Sequence, residues 1–260
     1  MAADGDLENL GWMRFPVEPS VLDWARAARA VALKVASDPR MQAQWLQCEG
    51  TWFVGVDALP NGPDGAVGGT PLRGAFQPYL TGADALHRAQ VSIIYPGYPR
   101  PRAGESEANF RYRQTRFAAH VDGITAEGPD RRRFVTESHA WILGLPLSEA
   151  SPEASPLVVW EGSHKIIRRA LAPLFDGKSK AEARTTDVTE AYQTARREVF
   201  ASCPVRRLSS RPGEALLLHR LCLHGIAPWG PQATAAREGR MTAYFRPLIR
   251  GGVKEWLTKG

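Results

Sequence analysis

The segment 117–123 contains two potential metal ligands, His120 and Asp122, with one residue between them. Side chains at positions i and i+2 of an extended strand point to the same face, so this imidazole and this carboxylate can reach one ion. The spacing alone occurs by chance in many chains, because it requires only two residue types. It indicates a metal site only if a third ligand comes from elsewhere in the sequence.

A candidate third ligand lies in the apolar segment 212–225, which ends in His224-Gly225. Its pattern predicts a buried strand after a Pro-Gly turn. His219 lies in the same segment, but it is five residues from His224, so on a regular strand the two face opposite sides and only one can point inward. Two histidines and one carboxylate are the ligand set of non-haem Fe(II) oxygenases, which keep the remaining coordination positions open.

Length and composition predict one soluble domain. The 260 residues are 43% hydrophobic and include eight Trp and nine Phe, so they allow a large core, whereas 24 Gly and 20 Pro indicate many turns and loops. No run approaches the roughly 18 uninterrupted apolar residues of a membrane span, and residues 1–8 are acidic where a signal peptide would be basic and then apolar. We therefore expect a cytoplasmic protein that does not act in a membrane.

The basic charge of the chain does not by itself indicate nucleic acid. The net charge of +6 comes from arginines dispersed along the sequence, and no segment interleaves them with aromatic residues in a nucleic-acid motif. A small-molecule substrate is the expectation, and a basic surface suits an anionic one. The sequence leaves both a monomer and a homodimer open.

Residues 1–50 are predicted to form an N-terminal arm and helices that pack on the rest of the domain. Apolar residues recur at helical spacing between Ser20, a plausible helix N-cap, and Pro39. The remaining residues 51–260 are mainly β in pattern.

This β region is interrupted at about residues 165–202, where the apolar period changes from two to about 3.6. The change predicts an inserted helical pair, which is a candidate lid. Two long loops at 60–78 and 96–109 are rich in Gly and Pro. We expect both loops and the insertion to shape a substrate pocket, because specificity in barrel enzymes resides in such segments.

Several motifs, taken in order, resemble the phytanoyl-CoA dioxygenase superfamily of Fe(II)- and 2-oxoglutarate-dependent oxygenases. They are His120-x-Asp122, the strand around Trp141, the strand 156–160 with the following Gly162-Ser163-His164-Lys165 turn, Gly213-Glu214 before the strand that ends in His224-Gly225, and Arg240 at the start of the last strand. The resemblance spans roughly residues 90–249. Glu161 stands where the family usually has Pro, and the interval from His224 to Arg240 is longer than typical.

The resemblance implies a mainly β fold with flanking helices (α+β), whose core is a double-stranded β-helix, a cupin-like jelly roll. It also implies that His120, Asp122 and His224 hold Fe(II), while 2-oxoglutarate and O2 occupy the open positions. The reaction would hydroxylate a small organic molecule and decarboxylate 2-oxoglutarate to succinate. Asp122 favours hydroxylation over halogenation, because related halogenating enzymes lack the carboxylate ligand.

Arg240 and Trp141 are the predicted 2-oxoglutarate-binding residues. A bidentate arginine suits the planar distal carboxylate, and Arg240 agrees with the order of the motifs. Arg246 shares its parity but lies about 20 Å further along an extended strand, so only one of the two can reach the pocket. The resemblance places Trp141 in the pocket, on a long strand predicted over residues 134–147.

Two other functions agree with the same residues. The barrel and its three ligands can bind zinc or another divalent ion in a hydrolase or isomerase, because His and Asp do not select iron by affinity alone. A catalytically inactive, metal-free barrel used for binding is the second alternative. The absence of an arginine near the metal would favour the hydrolase or isomerase, and the absence of metal uptake would favour the binding barrel.

Overall fold

The computed structural model describes residues 3–258, so the first two residues of the predicted arm and the last two of the chain lie outside the described residues. Within 3–258 the chain forms thirteen strands and seven α-helices. The strands are β1 (Asp4–Asp6), β2 (Trp12–Phe15), β3 (Leu46–Gln47), β4 (Trp52–Gly55), β5 (Gln90–Ile94), β6 (Ile124–Glu127), β7 (Arg132–Val135), β8 (Trp141–Pro146), β9 (Leu157–Trp160), β10 (Val205–Leu208), β11 (Ala215–His219), β12 (His224–Ile226) and β13 (Arg240–Phe245). The helices are α1 (Pro19–Ser37), α2 (Pro39–Trp45), α3 (Glu107–Thr115), α4 (Ser163–Phe175), α5 (Lys180–Arg184), α6 (Thr189–Ser202) and α7 (Gly252–Thr258), and a 3-10 turn covers Gln77–Tyr79.

Eight strands form a large sheet in the order β1-β2-β11-β8-β13-β5-β4-β3. All of its neighbouring strands are antiparallel. The central strands β11, β8, β13 and β5 come from distant parts of the sequence, and β13 lies between β5 and β8. The strand that begins at Arg240 is therefore fixed on both sides by hydrogen bonding.

A smaller sheet has the order β10-β9-β12 and faces the large one. A backbone bridge between His120 and His224 adds the segment around residue 120 to its free edge, next to β12. This bridge brings together two parts of the sequence that are about a hundred residues apart.

Strands of both sheets bury side chains in the space between them. One apolar cluster takes members from β8 and β11 of the large sheet and from β9 and β10 of the small sheet: Trp12, Ile142, Leu157, Val159, Leu208, Leu216, Leu218 and Cys222. The alternate residues of β8, such as Leu143 and Leu145, belong to a different cluster that includes Trp24 of α1. Successive side chains of a strand point to opposite faces, so the large sheet is covered on both.

Helices cover the outer faces of the two sheets. The buried side of α1 consists of residues three or four apart, as an amphipathic helix requires: Val21, Trp24, Ala25, Ala28, Ala32 and Ala36. The helix begins at Pro19 rather than after Ser20, and its N-cap Glu18 makes no side-chain cap. The N-cap predicted at Ser20 is wrong, because the fixed φ of proline already suits the first turn of a helix.

The long strand predicted over residues 134–147 is interrupted. β7 ends at Val135 and pairs with β6, whereas β8 begins at Trp141 in the large sheet. Between them the backbone bonds to different partners, since Thr136 N donates to Gly123 O and Ala140 N donates to Pro247 O. The chain crosses between two sheets here, and a continuous strand is excluded.

Candidate metal centre

The segment that carries His120 is shaped by an unusual backbone arch. Phe117 and Ala118 have φ values of 56° and 53°, in the left-handed region that non-glycine residues rarely adopt. Strand β12, which carries His224, stabilises the arch, because Ile226 N donates to Phe117 O at 2.9 Å. A Cβ on Gly225 would lie 2.1 Å from that same oxygen. The glycine after His224 is therefore required for the two ligand segments to approach each other.

His120 and His224 are joined directly through their backbones. His120 N donates to His224 O at 2.8 Å, and His224 N donates to His120 O at 3.0 Å. Both side chains then leave the bridge on the same side, with ring centroids 4.6 Å apart. Two histidines distant in sequence are thus placed side by side.

Asp122 is fixed by the glycine that follows it. Gly123 has a φ of 82°, and a Cβ at this position would lie 1.8 Å from Glu137 O, so only glycine fits. Its carbonyl accepts a hydrogen bond from Thr136 N at 2.8 Å. The chain therefore turns immediately after Asp122 and leaves this carboxylate aimed at the two imidazoles.

The three predicted metal ligands meet at one point. Nε2 of His120 is 3.1 Å from Oδ1 of Asp122, and Nε2 of His224 is 3.8 Å from the same oxygen. One ligand atom from each residue lies within 4.8 Å of the others. Asp122 and His224 are buried, whereas 51% of the His120 side chain is exposed, so the group is open on one side.

Both histidines present the nitrogen that a metal needs. Nδ1 of His120 lies 2.9 Å from Ala118 O, and Nδ1 of His224 lies 2.9 Å from Cys222 O. A carbonyl oxygen only accepts hydrogen bonds, so each Nδ1 carries a proton and Nε2 is the nitrogen that faces the other candidate ligands. Without a metal, Nε2 of His120 donates to Oδ1 of Asp122, and a bound metal would replace that proton. Fixing the tautomer through the second ring nitrogen is typical of metal-binding histidines.

The pKa values of His120, Asp122 and His224 depend on one another. Burial alone would raise the pKa of Asp122, but the hydrogen bond from His120 and the charges of His120 and Arg246 hold that pKa well below its usual range. Desolvation would lower the pKa of His120, but its hydrogen bond with Asp122 raises it. Burial, followed by the charge of His120, lowers the pKa of His224 to about 4. His224 is therefore neutral at physiological pH, as a metal ligand must be.

Arg246 binds the second oxygen of the carboxylate. Its Nη1 donates to Oδ2 of Asp122 at 3.2 Å, while Oδ1 faces the histidines. In the sequence, the only signal for the position of Arg246 is its shared parity with Arg240, and parity does not predict a contact with Asp122.

A cavity of about 260 Å³ opens in front of the three ligands. Most of its wall is apolar: Trp52, Val54, Val56, Phe117, Ile142, Leu157, Leu218 and Ile226. Polar groups come from Gln90 and Ser92 of β5, from Tyr244, and from Arg246. Of the three segments expected to shape the pocket, only loop 96–109 contributes, through Tyr98.

Arg240 is not among the residues that line the cavity, whereas Arg246 is. It pairs with Ile94, beyond the residues of β5 that line the cavity, and alternation along β13 gives it the same face as Tyr244 and Arg246. It is 9% exposed, and its Nη1 is buried without a hydrogen-bond partner among the described residues. A buried guanidinium nitrogen in this state needs an anion or an acceptor to complete it.

The structure does not bring Trp141 to the cavity. Trp141 has the parity of Leu143 and Leu145 and belongs with them to the cluster on the helix-covered face of the large sheet. Its Nε1 donates to Thr81 O at 3.1 Å. Ile142, on the opposite face, lines the cavity instead. The prediction that Trp141 lines the 2-oxoglutarate pocket does not agree with this position, because Trp141 lies on the face of β8 opposite the cavity.

His219 points away from the other predicted ligands. Its ring lies 4.6 Å from that of His164, and its Nε2 is 3.0 Å from Nη2 of Arg168. Of the two histidines in the segment 212–225, His224 lies beside His120 and Asp122 and His219 does not.

Solved structures with the same arrangement of sheets include SnoK, a non-haem α-ketoglutarate-dependent carbocyclase from nogalamycin biosynthesis. SnoK aligns with a TM-score of 0.52 and 12% sequence identity, over 96% of this chain and 85% of SnoK. The fold is a double-stranded β-helix. Its eight strands are β5, the segment at residue 120, and β8 to β13, and the three ligands lie at one end of the barrel.

Two further solved structures have lower TM-scores. EctD from S. alaskensis, in its apoform, gives 0.46 with 15% identity over 94% of this chain and 74% of EctD. HygX from Streptomyces hygroscopicus, with nickel, 2-oxoglutarate and hygromycin B bound, gives 0.44 with 13% identity over 94% of this chain and 85% of HygX. No family model matches the chain, and no curated protein sequence matches it significantly. Among the described residues, no helix is both long and apolar enough to cross a membrane.

Proposed function

We propose that this protein is a non-haem Fe(II)- and 2-oxoglutarate-dependent dioxygenase of the phytanoyl-CoA dioxygenase type, which hydroxylates a small organic molecule. The observation that carries the proposal is the meeting of His120, Asp122 and His224, with both Nε2 atoms directed at Oδ1 of the carboxylate. The shared fold with SnoK, a protein described as dependent on α-ketoglutarate, is in keeping with it.

The residues present fit an Fe(II) ion. Two imidazoles, of which that of His224 is neutral at physiological pH, and one carboxylate with a low pKa provide the ligand set of non-haem iron oxygenases. A bound metal would replace the proton that Nε2 of His120 donates to Asp122. Iron bound here, together with 2-oxoglutarate and O2, supplies oxidative decarboxylation to succinate and CO2 coupled to oxidation of the substrate. The contribution of the chain is to hold three ligands on one side and to leave the cavity side open.

The residues also fit 2-oxoglutarate. Arg240 offers a buried guanidinium with an unsatisfied Nη1, on the same face of β13 as Tyr244 and Arg246. Arginine recognises a carboxylate through two parallel hydrogen bonds, which fixes the orientation of the bound molecule as well as its position. Arg240 would hold the distal carboxylate and so direct the keto-acid end toward the three ligands.

The cavity favours a small and mainly apolar substrate with an acidic group. Its walls are aromatic and aliphatic, and Arg246 is its cationic residue. Nε of Arg246 is buried without a hydrogen-bond partner in the described part of the chain. One guanidinium can therefore hold Asp122 through Nη1 and bind a substrate anion through its remaining donors.

The test of the proposal is anaerobic spectroscopy of the purified protein. With Fe(II) and 2-oxoglutarate together, a weak visible charge-transfer band is expected, because both must chelate in one site for it to form. Neither component alone gives the band, and Asp122→Ala removes it. Full metal loading with a flat spectrum would favour a metal-dependent hydrolase or isomerase instead, and no metal uptake would favour a binding barrel.

The type of oxidation is read from the product. Hydroxylation adds one oxygen atom to the substrate, whereas ring closure or desaturation removes two hydrogens, so mass spectrometry separates them. Asp122 occupies the position that a halide takes in related halogenating enzymes, and we expect no halogenated product when chloride is present.

A further inference from the structure

We propose that two tyrosine hydroxyls, those of Tyr112 in α3 and Tyr192 in α6, position the strand that carries His120 and Asp122 and so set the geometry of the metal site. The inference rests on the proposed metal site, but not on the reaction that the metal supports. Both tyrosines are positioning residues, because they act on the ion through the backbone of its ligands.

The ligand strand, residues 119–122, is a short extended segment with a single backbone bridge at His120, so it has one edge paired and one edge left for other partners. The N–H and C=O of His120 both bond to His224. The neighbouring Ala119 C=O and Val121 N–H point to the opposite edge, since adjacent residues of a strand direct their backbone groups to opposite sides. Ala119 and Val121 are buried, so these two groups need partners within the protein.

The two tyrosine hydroxyls supply these partners. Val121 N donates to the hydroxyl of Tyr192 at 2.9 Å, and the hydroxyl of Tyr112 donates to Ala119 O at 2.7 Å. One contact lies on each side of His120, and Val121 stands between the two ligands. The hydroxyls thus take the place that a neighbouring strand would have at this edge.

Arg196 connects the two tyrosines. It lies one helical turn after Tyr192 in α6. Its guanidinium carbon is 5.0 Å from the ring centroid of Tyr112 and 5.5 Å from that of Tyr192, within the range of cation–π contacts. Its Nη2 also donates to the Tyr112 hydroxyl. Helices from two separate parts of the chain therefore hold the ligand strand as one unit.

The helical insertion, formed by α4, α5 and α6, supports the metal site and does not cover the cavity as a lid would. No residue of α4, α5 or α6 is among those that line the cavity. Tyr192 is 1% exposed and packs beneath the ligand strand rather than over the cavity entrance. α6 supports the metal site from behind.

Removing only the hydroxyls isolates their contribution. Tyr192→Phe and Tyr112→Phe retain the aromatic rings and their packing but leave one backbone group of the strand without its partner. The strand must move to satisfy that group, and this movement changes the spacing between His120 and Asp122. Contacts that orient metal ligands typically change metal affinity by about 10- to 100-fold.

The experiment titrates the metal-free full-length protein with Co(II) alone, and its readouts are the dissociation constant and the visible d–d spectrum. We expect each Tyr→Phe variant to bind Co(II) about tenfold more weakly and with an altered spectrum. The matched control is Trp24→Phe, which also loses a buried hydrogen bond, from Trp24 Nε1 to Gly65 O at 2.7 Å, but lies on α1, remote from the ligands. This control should lose thermal stability while retaining the wild-type affinity and spectrum.

The outcomes separate this inference from the proposed reaction. Wild-type affinity and spectrum in both Tyr→Phe variants would overturn the inference, and so would an equal loss of affinity in Trp24→Phe. A wild-type protein that binds Co(II) but does not use 2-oxoglutarate would overturn the proposed function and leave the positioning role intact. A wild-type protein that does not bind Co(II) would overturn both.

Discussion

Arg246 and Asp122 are joined by a hydrogen bond of 3.2 Å from Nη1 to Oδ2. This contact occupies one carboxylate oxygen and leaves Oδ1, the atom that faces both histidines, for the metal. The side chain of Asp122 is 9% exposed, so water does not replace the guanidinium easily. The arginine therefore fixes the orientation of the carboxylate and favours its ionised form.

Arg246→Met should weaken metal binding. The substitution keeps an unbranched apolar stem and removes the donor that holds Oδ2, so we expect about a 10- to 100-fold loss of affinity for Mn(II) by equilibrium dialysis. Arg250→Met is the control, because Arg250 pairs with Asp84 through exposed side chains. Equal affinities for Arg246→Met and wild type would show that the contact does not orient the ligand.

Arg240→Met should weaken 2-oxoglutarate binding without changing metal binding. A charged hydrogen bond contributes roughly 1.5–3 kcal/mol, so its loss corresponds to about a 10- to 100-fold weaker affinity in an anaerobic titration of the Fe(II) protein. Arg237→Met, in the exposed loop before β13, is the matched control and should titrate like wild type. If Arg237→Met has the defect and Arg240→Met does not, the assignment of the carboxylate anchor is wrong.

Trp141→Phe should affect stability and not cosubstrate affinity. The variant loses the hydrogen bond to Thr81 O on the helix-covered face of the sheet. We expect a decrease of roughly 1 kcal/mol in the free energy of unfolding from the lost hydrogen bond, with a further contribution from the smaller ring, measured by urea denaturation. A 2-oxoglutarate affinity that falls at unchanged stability would return Trp141 to the pocket.

His219 should make the protein less stable in acid. Burial, followed by the charges of Arg220, His164 and Arg168, lowers the pKa of His219 from 6.5 to about 2. Between these two values the unfolded chain binds a proton that the folded chain does not, so stability decreases as the pH falls below about 6.5. One such group contributes about 1.4 kcal/mol per pH unit.

The measurement for His219 is the free energy of unfolding at several pH values between 6.5 and 4.5. His219→Gln removes this group, and its stability should depend less steeply on pH than that of the wild type. Other depressed histidines, such as His164, still titrate in both proteins. Identical slopes for variant and wild type would contradict a neutral, buried His219.

The three candidate metal ligands could be recognised in the sequence because their signals are local. A spacing of two keeps His120 and Asp122 close together, although only His120 makes a strand-like bridge, and the glycine after His224 is required by the close approach of Phe117. The choice of His224 over His219 came from a resemblance, since alternation shows only that the two differ in direction.

The sequence misplaced Trp141 because both faces of β8 are buried. All six residues of this strand are buried, so a hydrophobic pattern cannot tell which face adjoins the cavity and which adjoins helix α1. The break after Val135 is also invisible in the sequence. It arises because the backbone N–H groups of Thr136 and Ala140 bond to different parts of the chain, Gly123 O and Pro247 O.

The contacts of Tyr112, Tyr192 and Arg246 also required the structure. Each depends on tertiary contact between segments 7 to 124 residues apart, and none has a characteristic spacing in the sequence. The helical insertion itself was recognisable from its period, but its packing behind the ligand strand was not.

Succinate formation from 2-oxoglutarate tests the central claim most directly. The purified protein, supplied with Fe(II), 2-oxoglutarate and O2, should release succinate even without its substrate, and Asp122→Ala should release none while remaining folded. Rates that are the same for Asp122→Ala and wild type, or no succinate from a wild-type protein with iron bound, would contradict the account.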